Sequence, residues 1–156
     1  MTCDFKELSH GIYISTVDSI DSSKYSQIGH HSFVKDVDLL FVTDTINGEI
    51  GTHFGIEYMV KTPFDTSLNI KKVWIFPDKM IGENGKKYYQ LKRDLTIDTN
   101  ASLFTSYGFD NDFEIIPGKW ILRLYCNSKL LYEKIFIIRK SAHLMTSLLL
   151  SKRYII

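Results

Sequence analysis

Five histidines, two cysteines and the acidic trio Asp110, Asp112 and Glu114 are the side chains of this 156-residue chain best suited to metal or acid–base chemistry. A zinc site needs three or four ligands converging on one point. His10, His30, His31, His53 and His143 show no such spacing, and His30 and His31, if extended, point to opposite faces. The acidic trio offers oxygen ligands for calcium, but the twelve-residue calcium loop with its fixed ligand positions is missing, so the segment reads as a solvated turn. Serines and acids are numerous, yet no Gly-x-Ser-x-Gly elbow presents a nucleophile, and neither cysteine has a local context that would activate its thiol. No glycine-rich loop runs into a Lys-Ser/Thr pair and a helix, as phosphate binding would require. These residues predict no catalytic centre, no metal and no cofactor.

Cys3 and Cys126 lie far apart, the first in an N-terminus that reads as mobile and the second beside a turn. Two free thiols are expected, with a single long-range bridge as the alternative if the protein is secreted. The net charge of +1 conceals an uneven distribution: residues 1–66 carry ten acids against four bases, residues 71–93 carry seven bases against two acids, and from Arg139 onward there are four bases and no acid. The basic stretch interleaves Trp74, Phe76, Tyr88 and Tyr89 with Lys71, Lys72, Lys79, Lys86, Lys87, Lys92 and Arg93, a composition that would suit phosphate contacts and base stacking. Strand alternation argues otherwise. Lys72 shares a face with Trp74 and Lys71 with Val73, so a lysine-rich outer face or edge that resists aggregation is the expectation, and nucleic acid is not an expected partner.

These side chains have to be positioned by strands. The segment Phe113-Glu-Ile-Ile-Pro-Gly-Lys-Trp-Ile-Leu-Arg-Leu-Tyr-Cys-Asn-Ser-Lys-Leu-Leu-Tyr-Glu-Lys-Ile-Phe-Ile-Ile138 spells an antiparallel hairpin turning at Cys126–Lys129. Further strand patterns occupy 11–17, 37–43, 54–60, 68–76, 87–97 and 103–109, with turn signals at Asn47-Gly48, Thr62-Pro63, Pro77-Asp78 and Gly82–Gly85 and a serine-rich loop at 18–27. With 44% apolar and 13% aromatic residues the chain can fill one core. Eight or nine short strands and no long helix before residue 140 predict an all-β, two-layer antiparallel sandwich. Residues 1–139 form that domain and 140–156 a C-terminal tail, helical or extended.

The blocks Thr45–Tyr58, Phe76-Pro77 with Gly82 and Gly85, Tyr107–Trp120 and Leu130–Phe136 resemble an uncharacterised bacterial family, a domain of unknown function with an immunoglobulin-like β-sandwich. The resemblance covers roughly residues 8–139. It implies that fold and no reaction, cofactor or catalytic residue. Members of the family often begin with a secretion signal, which this sequence does not show, so it reads as cytoplasmic as it stands and extracytoplasmic if a signal was removed.

Structural roles account for the residues that punctuate these blocks. Gly51 and Gly55 flank Phe54 where a strand needs a bulge or a close backbone approach. Pro117-Gly118 makes a tight turn ahead of Trp120, and both Trp74 and Trp120 belong in the core. In the tail, Leu144, Met145, Leu148 and Leu149 fall at helical spacing on one face. That stripe either packs back on the sandwich or docks in a partner's groove. No stretch approaches the ~20 apolar residues of a spanning helix. The function that follows is a non-enzymatic binding or assembly module whose partner is another protein or a second copy of itself, with a small-molecule or carbohydrate-binding sandwich as the alternative.

Overall fold

A computed structural model of the chain describes residues 2–22 and 30–140, except for the side chains of 15–22 and 30–37. Its strands are β1 (Asp4–Ser22), β2 (His30–Val42), β3 (Thr45–Gly48), β4 (His53–Lys61), β5 (Ser67–Ile81), β6 (Lys87–Asp98), β7 (Leu103–Gly108), β8 (Gly118–Cys126) and β9 (Lys129–Lys140), with one 3-10 turn at Asp112–Glu114. They form two layers. Sheet A has the order β2-β1-β4-β7 and sheet B the order β3-β9-β8-β5-β6. The β3–β9 pair is parallel and the other pairings are antiparallel.

Alternation explains which faces meet. Along β8, Trp120, Leu122, Leu124 and Cys126 are buried while Lys119, Ile121, Arg123 and Tyr125 face outward, and on β4 the inward set is Phe54, Ile56, Tyr58 and Val60. Trp74 is 2% exposed and Trp120 fully buried, as the sequence predicts. Phe54 is the hub between the sheets. Its ring lies 5.2–5.8 Å from those of Phe136, Phe109, Trp74 and Trp120. The edge-to-face geometry at Phe136, Trp74 and Trp120 sets the positive rim of one ring against the negative face of the next.

The β8–β9 connection is a two-residue turn in which Asn127 (φ 49°) and Ser128 (φ 65°) both have positive φ, which matches the twist of a hairpin. Three expectations need correction. The N-terminus is not a loose leader: β1 starts at Asp4 and pairs with β4 from Asp4↔Lys61 onward. The serine-rich stretch 18–27 is not wholly loop, because the β1–β2 ladder runs to Ser22↔His30. Nor does Pro77 end a strand, since β5 continues to Ile81 and its pairing with β6 skips from Ile75 to Met80. Residues 76–79 have no ladder partner in either neighbour, and there a missing proline N–H costs nothing.

Candidate functional site

On the outer face of sheet B the cross-strand register lines up apolar and charged side chains in rows. Cross-strand pairing aligns Ile75, Ile121 and Ile135 in one row over β5, β8 and β9, continued on β6 by Gln90. Ile137 pairs with Lys119 and Thr45 in the next row. Ile135 and Ile137 are each 38% exposed. On the other side of the isoleucines lies the row Lys92, Val73, Arg123 and Glu133, in which the Arg123 Nε donates to Glu133 Oε2 over 2.8 Å. Here the twisted sheet forms an open groove of about 690 Å³ with Val73 at its floor, walled by Gln90, Lys92 and Asp94 of β6 and Arg123 and Tyr125 of β8. Charge on one side and hydrocarbon on the other make this face amphipathic.

The sandwich interior holds polar groups of a different kind. Lys72 points inward beside Trp74, as alternation requires, and its Nζ donates to Thr105 Oγ1 on β7 over 3.0 Å. Burial, helped by the nearby Arg93 guanidinium, pushes the Lys72 amine down to about 8. The unfolded chain, with this amine near 10.5, binds its proton where the folded chain has lost it, so this residue's contribution makes stability rise with pH between about 8 and 10.5. Wild-type protein is therefore expected to gain about 2 kcal/mol relative to Lys72→Met between pH 7.5 and 9.5. Paired urea melts check this, and a difference that stays flat with pH would show the amine to be well solvated. Tyr58, pushed up to about 12 by burial, sets the opposite trend, since its stabilising effect is lost only above pH 10.

The acidic trio divides. Asp110 and Asp112 are exposed, but Glu114 is 2% exposed and not part of a solvated turn, which corrects the sequence expectation. Its Oε2 accepts from the Tyr107 hydroxyl at 2.6 Å, and its Oε1 accepts from the backbone N–H groups of Asp110 (3.1 Å) and Asn111 (2.9 Å) and from Asn111 Nδ2 (3.1 Å). Four donors on one carboxylate make it a brace for the loop between β7 and β8. The indole N–H of Trp120 adds a bond to the Ile116 carbonyl over 2.8 Å. At the far end of sheet A, Glu7 accepts from the Tyr132 hydroxyl and lies 3.3 Å from His10 Nδ1. Burial opposes ionisation of Glu7, yet the bonds from Tyr132 and His10 hold it below the usual carboxylate range.

The residues singled out in the sequence are dispersed. Gly55 is a close approach, because a Cβ there would lie 2.0 Å from the Thr105 carbonyl oxygen. Gly51 is not in a strand: with φ +91° it occupies the β3–β4 turn, where its N–H donates to the Phe109 carbonyl at 2.8 Å. Gly118 opens β8 with a positive φ, packed against the ring of Pro77, and Pro117 precedes it on the surface. His53 sits under Gly108 on the opposite side of the core from the groove. Among the described residues no group of three or more His, Cys, Asp or Glu is placed to hold a metal ion, and no helix is long and apolar enough to cross a membrane. Leu144, Met145, Leu148 and Leu149 lie outside the described residues. Sequence reasoning missed the isoleucine row, and the continuous run Ile135-Phe-Ile-Ile138 hid it, since a run without alternation does not say which face meets the core.

A comparison with curated proteins finds no match in sequence. Among solved structures, an immunoglobulin-like protein from Pseudomonas aeruginosa superposes with a TM-score of 0.64 at 16% identity, covering 89% of this chain and 98% of its own. At that identity the likeness establishes an immunoglobulin-like fold and nothing about activity. An alkylpurine DNA glycosylase of Pseudomonas fluorescens, solved bound to DNA containing an abasic-site analogue, overlaps weakly, with a TM-score of 0.37 at 14% identity over 62% of this chain and 28% of that one. The domain of unknown function DUF3859 matches residues 2–138, the whole of the described sandwich but its last two residues, and the chain belongs to that family.

Proposed function

We propose that this domain is a non-enzymatic protein-interaction module that receives its partner on the outer face of sheet B. The isoleucine row, half-buried at Ile75 and Ile121 and exposed at Ile135, carries the reading. Ile75, Ile121 and Ile135, with Ile137 beside them, present a flat hydrocarbon strip bordered by Lys119 on one side and by Lys92, Arg123 and Glu133 on the other. An apolar centre with a polar rim is the anatomy of a protein interface. Isoleucines left in water gain nothing, whereas covering them removes apolar area from solvent at about 25 cal/mol per Å².

The double substitution Ile135→Glu with Ile137→Glu is expected to weaken association at least about tenfold, measured by light scattering for self-association and by quantitative cross-linking to partners in native cells. Both positions face solvent, so the denaturation midpoint should hardly move. Association that survives the double substitution would overturn the reading. A chain ended after Lys140 is the companion measurement: association is expected to fall while the unfolding midpoint holds, which would assign the apolar stripe of the tail to the same task. The groove favours a second reading, a small polar ligand or carbohydrate bound between Gln90, Asp94 and Tyr125. Under that reading Tyr125→Ala, and not the isoleucine substitutions, abolishes binding.

A further inference from the structure

The two cysteines reach the same end of the core on different sheets. β1 of sheet A lies face to face with β9 of sheet B, since the Phe5 ring stacks on Tyr132 with centroids 4.4 Å apart and Glu7 accepts a hydrogen bond from the Tyr132 hydroxyl. Cys3 stands one residue ahead of β1, where continued alternation puts it on the same inward side as Phe5 and Glu7, and it packs against the buried core. In sheet B, Tyr132 pairs with Leu124, and one inward step further along β8 stands Cys126, paired with Lys129 at the hairpin turn. Moving from Phe5 to Cys3 on one sheet thus follows moving from Leu124 to Cys126 on the other. Burial first, and the neighbouring Cys3 second, push the Cys126 thiol up. Both are free in the structure, and the chain has no third cysteine to compete.

We infer that Cys3 and Cys126 are a reversible redox pair whose disulfide ties the first strand to the β8–β9 hairpin. The chemistry is exchange with a small-molecule disulfide, RSSR. Cys3, the more exposed thiol, attacks as its thiolate one sulfur of RSSR; the Cys3–SR bond forms, the R–S–S–R bond breaks, and the departing RS⁻ takes up the proton Cys3 lost. Cys126 thiolate then attacks the Cys3 sulfur, the protein disulfide forms, and the second RS⁻ leaves with the Cys126 proton. Two protein thiols are oxidised and one RSSR is reduced to two RSH. The bond closes most of the chain into one loop, which removes a large share of the unfolded chain's freedom.

Intact protein is incubated with glutathione disulfide under native conditions, the remaining thiols are blocked with iodoacetamide, and the product is read by intact mass and non-reducing peptide mapping. Expected are a monomer lighter by two hydrogens, a linked peptide pair containing Cys3 and Cys126, and a Tm about 10 °C higher that dithiothreitol reverses. Cys3→Ser should give no bridge and no rise in Tm, which separates the pair from general oxidation damage without disturbing the buried Cys126. A stable glutathione adduct on Cys3 beside a free Cys126, a bridge between two copies, or two unmodified thiols after diamide treatment would each overturn the assignment.

Discussion

Replacing Phe54 by alanine is expected to remove about 4 kcal/mol of stability. The ring is fully buried and meets five aromatic neighbours drawn from both sheets: Trp74, Tyr107, Phe109, Trp120 and Phe136, at 5.2–6.2 Å. Rings of that size, three packed edge to face and two tilted, cannot slide into the vacated space without losing their own geometry, so most of the cavity stays open. Against a total stability of about 5–15 kcal/mol the loss brings the domain near its folding threshold. Urea melts followed by tryptophan fluorescence measure it directly, since Trp74 and Trp120 both line the site. Phe54→Leu should cost about 1.5 kcal/mol, because it keeps most of the volume. A loss below about 1 kcal/mol for the alanine variant would mean that the core collapses freely and that the aromatic cluster is not its centre.

What the sequence reveals of this fold follows from where local chemistry and tertiary packing agree. Trp120, Leu122 and Leu124 alternate with Lys119, Ile121, Arg123 and Tyr125, of which all but Ile121 carry a polar group, so their burial is legible, and Asn127-Ser128 announces the hairpin because those residue types tolerate positive φ. Disagreement begins where the core face carries a polar group. The start of β1 was hidden by Glu7, an inward residue whose partner Tyr132 stands 125 positions away. Pro77 imitates a turn because only the pairing pattern shows that residues 76–79 need no ladder hydrogen bond. The proximity of Cys3 to Cys126 is equally silent in sequence, since it depends on how sheet A lies over sheet B. The candidate site was the least legible part, because a surface made by register is spread over four strands and leaves no motif in any of them.

The second large effect is expected at Glu114, and it falls on the loop before it falls on the whole domain. Glu114→Leu fills the space with hydrocarbon and leaves the Tyr107 hydroxyl, the amides of Asp110 and Asn111, and Asn111 Nδ2 without their acceptor. Each buried donor that finds no substitute costs about 1–3 kcal/mol, and water reaching the loop satisfies some of them, so a net loss of about 3 kcal/mol is expected. Glu114→Gln separates hydrogen bonding from charge. Its carbonyl oxygen still serves the two amides, and its NH₂ group donates to the Tyr107 hydroxyl once that hydroxyl turns to accept, so about 1 kcal/mol should be lost. Hydrogen exchange supplies the readout that a global melt lacks: in the leucine variant the Asp110 and Asn111 amides should exchange much faster than those of β4 and β8, because the loop opens while the sandwich stays shut. If all three regions lost protection together, Glu114 would instead belong to the cooperative core, and the loop from 110 to 117 could not be unfastened without melting the sheets it closes.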